Sequence, residues 1–155
     1  MKTIILYATK YGAAGEIAKR IADRIDGSAI HNLKDGFPSL TEYDCIIFGS
    51  SVYAGMIRKE AKTFLSLNAQ ILLEKKLGLF LCGISREEED TYFSANFAPN
   101  LLQKATAKCL PGGIFDPEKA GAFERLIMKA VAKSSAYINT INDKKIERFT
   151  EAMKS

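Results

Sequence analysis

Apolar residues fall into short continuous runs that alternate with longer stretches of helical spacing. The run Lys2 to Ala8 is apolar on both sides, which predicts a central strand covered on two faces. From Ala13 to Ile25, the residues Ile17, Ile21, Ala22 and Ile25 share one helical face, and Gly27 follows as a terminator. Ser28 to Leu33 is a weaker strand, and Asp35-Gly36-Phe37-Pro38 is turn chemistry. Tyr43 to Ser51 reads as another buried strand, and helical spacing resumes from Arg58 to Leu73 with Ala61, Phe64, Leu65 and Leu72 on the apolar side.

Lys76 to Ile84 is the fourth strand. Ser85 and Glu88 match a capping box, so the acidic run Glu87 to Asp90 reads as a solvated helix start. Lys104 to Phe115 is a fifth strand, interrupted or ended near Pro111-Gly112-Gly113. Asp116-Pro117-Glu118 then predicts a helix running to about Lys133, and a last helix spans Asp143 to Met153. Strands alternating with helices predict an α/β fold with a doubly wound parallel sheet and right-handed crossovers.

The chain has 155 residues and no low-complexity linker, which fits one domain over 1–155. Its 47% hydrophobic content supports a sizeable core and excludes a disordered chain. The N-terminal run lacks the features of a signal peptide, and no run reaches the roughly 18 apolar residues of a membrane span, so a cytoplasmic location is expected. Cys45, Cys82 and Cys109 are far apart and sit in or beside apolar runs, as reduced core residues do. With His31 the only histidine, no multi-histidine metal site exists, and no metal is expected. The net charge of +4 is too weak to indicate nucleic acid, which is not expected as a partner.

Open parallel sheets bind ligands beyond the carboxyl ends of their strands, where strand order reverses. Three predicted loops leave such ends: Thr9 to Gly15, Ser50 to Gly55 and Gly83 to Asp90. The first passes from a strand through small and hydroxyl residues straight into a helix. Helix-start N–H groups lack intrahelical acceptors and the helix dipole adds positive potential, so this is an anion-binding arrangement. Taken alone, the loop is equally an ordinary tight turn. The second loop offers hydroxyls and an aromatic ring, and a planar aromatic phosphate compound would satisfy both loops.

Tyr7-Ala8-Thr9-Lys10-Tyr11-Gly12 before a helix, followed by Tyr43-Asp44-Cys45-Ile46-Ile47-Phe48-Gly49-Ser50-Ser51-Val52-Tyr53-Ala54-Gly55, resembles the flavodoxin family. The likeness covers nearly the whole chain. It implies a flavodoxin-like doubly wound five-stranded parallel sheet of order 2-1-3-4-5, with helices on both faces and FMN as cofactor. By the resemblance, Thr9, Lys10, Tyr11, Gly12, Ala13 and Ala14 surround the FMN phosphate. Lys10 supplies positive charge where family loops carry hydroxyls. Tyr53 stacks on the flavin ring, Ser50, Ser51, Val52, Ala54 and Gly55 contact the ring and ribityl chain through the backbone, and Gly83, Ile84 and Ser85 form the third loop. Tyr92 is placed either on the flavin's other face or in the core.

Within the family, MKTIILYAT at the start, Ser50 to Gly55, and Gly113 to Lys133 with its Phe-Glu-Arg-Leu-Ile-Met-Lys core are similar to flavodoxin-like menaquinone-dependent protoporphyrinogen oxidases. That likeness implies an FMN oxidoreductase oxidising a tetrapyrrole, protoporphyrinogen, with a quinone acceptor. The alternative is a soluble electron-transfer protein with a redox partner protein. No catalytic acid, base or nucleophile stands out, and a surround lacking carboxylates is expected to favour the reduced flavin. On the segment Asp116 to Ser135, Phe123, Leu126, Ile127, Ala130 and Val131 form an apolar face, with Arg125, Lys129 and Lys133 on another. This is a crossover helix with a solvated basic side, or a surface for peripheral contact with an anionic membrane at its inner face or with a carboxylated tetrapyrrole. A phosphorylatable receiver aspartate, a Walker-type loop and a GxGxxG fingerprint are absent.

Overall fold

The computed structural model describes residues 1–131 and 136–155. Its elements are β1 (Thr3–Ala8), α1 (Ala13–Ala22), β2 (Ala29–Asn32), β3 (Cys45–Tyr53), β4 (Met56–Ile57), α2 (Lys59–Glu74), β5 (Lys76–Cys82), α3 (Glu89–Asn96), α4 (Pro99–Lys104), β6 (Ala107–Gly112), β7 (Ile114–Phe115), α5 (Ala122–Val131), β8 (Ile138–Asn139) and α6 (Asp143–Lys154). The main sheet runs β2-β1-β3-β5-β6, all neighbours parallel, with β4 folded back antiparallel on the end of β3. Counting only the five parallel strands, this is the expected order 2-1-3-4-5.

Strand alternation divides the core in two. Ile4, Leu6, Ile46, Phe48, Leu77, Leu79 and Leu81 point to the face covered by α2, α3 and α4. Ile5, Cys45, Ile47, Phe80 and Cys82 point to the face covered by α1 and α6. On the first face Phe48 stacks on Phe64 of α2 at 5.6 Å between ring centroids and meets Phe97 edge-on at 6.0 Å, which ties α2 and the end of α3 to the central strand. On the second face the approach is closer. A Cβ at Gly78 would stand 2.8 Å from Met153 Sδ and 2.9 Å from Phe149 Cζ, so α6 lies directly on the bare backbone of β5. A Cβ at Gly49 would likewise run into the ring of Phe80.

Several boundaries differ from the sequence expectation. The predicted strand over Lys104 to Phe115 begins only at Ala107, because Pro99 at the first helical turn starts the short α4. It ends at Gly112 after a register shift opposite Phe80 and Cys82 that accommodates Pro111. Ile114–Phe115 leaves the main sheet and pairs antiparallel with Ile138–Asn139. The helix expected at Asp116 begins at Ala122 instead. The Asp116 carboxylate accepts from Glu118 N at 3.0 Å and its carbonyl accepts from Ala120 N at 3.0 Å, closing a turn that stops before Gly121. Helix α3 starts at Glu89, after a 3-10 turn over Arg86–Glu88, without a side-chain cap at Glu88. The predicted apolar side chains Phe123, Ile127, Ala130 and Val131, and the residues Lys133 and Ser135, lie outside the described residues.

The segment from Gly113 to Ile141 is thus an excursion between β6 and α6, closed at its base. Thr140 N donates to Gly113 O at 2.9 Å and Asn142 N to Pro111 O at 2.8 Å. Gly112, at φ 132°, is obligatory here, since a Cβ would collide with the Thr140 carbonyl. The contact of α6 with Gly78 predicts that Gly78→Val overpacks this face and lowers unfolding free energy by about 1–3 kcal/mol. Urea denaturation of the variant beside the parent checks this.

Candidate functional site

The parallel register brings three strand ends to one edge. Ala8 stands opposite Ser50, and Ser51 opposite Cys82. Beyond them lies a cleft of about 810 Å³, whose walls come from Thr9 to Tyr11 and Ala13, Ser51 to Gly55, and Cys82 to Ser85. The site residues expected from the sequence therefore meet, with three exceptions. Ala14 is fully buried under α1 and Ser50 is fully buried behind β3. Gly12 faces a smaller adjoining cavity of about 320 Å³. Ser50 is structural: its Oγ donates to Ser51 O at 2.9 Å and accepts from Arg58 N at 3.0 Å, anchoring the entry to α2.

At the first wall, Gly12 takes a left-handed conformation with φ 102° and no side chain caps α1. Thr9 Oγ1 accepts from Gly12 N at 2.9 Å, which folds the loop back on itself. The uncapped first turn keeps its partial positive charge at the loop. Lys10, expected beside the phosphate, places its ammonium over aromatic rings. Its Nζ lies 4.1 Å from the centroid of the Tyr53 ring and 5.3 Å from that of Tyr11, over aromatic faces.

The second wall is a hairpin arm and not the loop expected over Ser50 to Gly55. Strand β3 continues to Tyr53, and Val52 and Tyr53 pair with Ile57 and Met56. The two connecting residues, Ala54 at φ 51° and Gly55 at φ 79°, supply the consecutive positive φ values that suit a tight hairpin turn. Asn96 at the end of α3 holds this arm: its Nδ2 donates to Gly55 O at 2.9 Å and its Oδ1 accepts from Ile57 N at 3.0 Å. The same Nδ2 donates to Tyr92 O at 2.8 Å. One amide therefore ties the arm carrying Tyr53 to the helix carrying Tyr92, and both tyrosines line the cleft.

A fourth wall, missed in the sequence, is the excursion. Gly113, Ile114, Phe115, Asp116, Ala120 and Met128 complete the lining. Gly83 N donates to Gly112 O at 3.0 Å, and a Cβ at Gly113 would stand 2.8 Å from Gly83 C, so the two backbones are in direct contact. The Gly-Gly pair inside a predicted strand is the signal that marks this close approach. Asp116 and Glu87 both line the cleft, which corrects the expectation of a carboxylate-free surround.

Burial pushes the Cys82 thiol up to about 12, so this cleft-lining thiol is held neutral. The Tyr92 hydroxyl is raised by burial, with Glu88 adding to the effect. Among the described residues no group of side chains is arranged to hold a metal ion, and no helix is long and apolar enough to cross a membrane.

A flavin phosphate suits these walls on three observations. The uncapped helix start receives an anion. Aromatic rings line the opposite end of the cleft. The Ser51 Oγ is buried with no hydrogen-bond partner among the described residues, a hydroxyl that a polar ligand atom would satisfy.

Residues 4–140 match the family described as flavodoxin domain, and the chain belongs to that family. A comparison with curated proteins gives no match. Among solved structures the chain is similar to oxidised Flavodoxin 1 from Bacillus cereus, with 19% identity, 99% of this chain and 95% of that one covered, and a TM-score of 0.57. A short-chain flavodoxin associated with a non-canonical PDU bacterial microcompartment is 15% identical, with 99% and 97% covered and a TM-score of 0.56. The Flv1 flavodiiron core from Synechocystis sp. PCC6803 is 16% identical, with a TM-score of 0.58 over 99% of this chain but only 34% of that one. At these identities the likeness is one of fold.

The Asn96 linkage predicts that Asn96→Ala, which strips partners from Ile57 N and Gly55 O, lowers stability by about 1–3 kcal/mol. Chemical denaturation measures the loss, with exposed Ser94→Ala as the unaffected comparison.

Proposed function

We propose that this chain binds one FMN in the cleft and serves as an electron-transfer flavoprotein. The observation that carries the reading is the pairing, in one cleft, of an uncapped helix start with an aromatic wall. Thr9, Tyr11 and Ala13 would hold the phosphate end through backbone N–H groups and the Thr9 hydroxyl. Tyr53 and Tyr92 would flank the ring, Ser51 to Gly55 would contact the ring and ribityl chain, and Gly83 to Ser85 would close the remaining edge. FMN, when bound, supplies the capacity to accept and release electrons. The chain's own part is to bind and orient it, to exclude water with Ile114, Phe115 and Met128, and to set the charge around the ring.

A protein redox partner is the simplest source and destination for the electrons. Membership of the flavodoxin family supports this carrier reading. Oxidation of protoporphyrinogen with a quinone acceptor rests on the sequence likeness at MKTIILYAT, Ser50 to Gly55 and Gly113 to Lys133, and peripheral contact with an anionic membrane on the basic face of Asp116 to Ser135. An anaerobic assay with protoporphyrinogen and a quinone separates the two: turnover by the FMN-loaded protein establishes the enzyme, and its absence leaves the carrier.

Titration of the chain with FMN, followed by quenching of flavin fluorescence, is expected to end at one FMN per chain. Tyr53→Ala is expected to weaken binding about tenfold, in line with the worth of an aromatic stacking contact. A chain that stays colourless in excess FMN would refute the proposal.

A further inference from the structure

We infer that Lys10 sets the redox balance of the bound flavin and does not serve as its phosphate clamp. This rests on the FMN reading above. The sequence neighbourhood of Lys10, within Thr9 to Ala14, assigns it to the phosphate. The geometry points to Tyr53, because its ammonium lies 4.1 Å from the Tyr53 ring centroid, closer than the 5.3 Å to that of Tyr11 in its own loop. Lys10 and Tyr53 both line that cleft. The Lys10 ammonium covers one face of the Tyr53 ring, so a planar ring system packed against Tyr53 lies beside that cation or on the other side of the tyrosine.

Two-electron reduction takes up two electrons and one proton, so the ring system changes from neutral to a single negative charge. In the test the electrons come from dithionite or an electrode, and in the proposed carrier role from a redox partner protein. A fixed cation beside the ring interacts with the reduced form and hardly with the oxidised one. It therefore tightens binding of the reduced form selectively, and linkage converts this preference into a higher potential. Glu87 and Asp116 line the same cleft and act in the opposite sense, and among the described residues lining it Lys10 is the cation that offsets them. A phosphate clamp would behave differently, tightening both redox forms equally and leaving the potential where it was.

The expected size lies between that of a fully exposed charge pair and that of a desolvated one, about tenfold in the ratio of reduced to oxidised affinity. For a two-electron couple tenfold is about 30 mV.

The experiment is spectroelectrochemical titration of the FMN-loaded parent, Lys10→Met and Lys10→Arg, together with the Kd of oxidised FMN at low and high salt. The inference predicts a two-electron midpoint lowered by about 30 mV in Lys10→Met and restored in Lys10→Arg. It also predicts a Kd for oxidised FMN that changes less than the ratio does. An unchanged midpoint, with a Kd weakened and a salt dependence lost, would overturn it in favour of the phosphate role. Failure of the parent to bind FMN would instead overturn the FMN reading itself, and this inference with it.

Discussion

The in-register parallel pairing of β1, β3 and β5 is the constraint on which the site depends. Each strand must bury both faces, and the only way to continue the chain in parallel is to carry it back across the sheet through a helix. All three strands therefore deliver their following residues to the same edge. Ala8 stands opposite Ser50 and Cys82 opposite Ser51, so Thr9, the end of β3 and Gly83 gather around a common space. Bare backbone at Gly49 and Gly78 lets Phe80 and α6 settle against the sheet and keeps that edge level.

Upon this frame, a few polar contacts set the position of the walls. Asn96 spans the hairpin arm and α3, while the aromatic contacts of Phe97 with Phe48 and Phe93 seat the end of that helix in the core. On the other side, Glu89 accepts from Leu110 N at 2.9 Å, where the irregularity in β6 frees that donor from the ladder, and Lys145 Nζ stands 3.5 Å from the same carboxylate. Each is a partly buried polar group whose removal leaves a partner unsatisfied, so each is worth more to the geometry of the site than its net stabilising energy suggests.

The fold was legible because it is written in period. Buried parallel strands read as unbroken apolar runs, and Ile4 to Ala8, Cys45 to Phe48 and Leu77 to Cys82 are such runs. The loop between β1 and α1 was legible for a local reason, since Thr9, Gly12 and the start of α1 are neighbours in sequence. What escaped depended on distance or direction. Asn96 gives no periodic signal, and its role appears only when α3 meets β4. Ser50 and Ala14 have the right composition for a binding loop, but strand and helix alternation turns them inward. Lys10 sits in the loop after β1, but its long side chain carries the ammonium over the Tyr53 ring. The excursion from Gly113 to Ile141 was read as strand and then helix, because Ile114-Phe115 has strand character and its partner Ile138-Asn139 comes only after α5.

Hydrogen exchange of the chain with and without FMN, resolved by segment, tests the central claim that the three strand-end loops and the wall built by α3 form one binding cleft. The account predicts slowed exchange together in Thr9 to Ala13, Ser51 to Gly55 and Gly83 to Tyr92, with the solvent side of α2 and all of α4 unchanged. Protection confined to one of these loops, or centred on another surface, would contradict it.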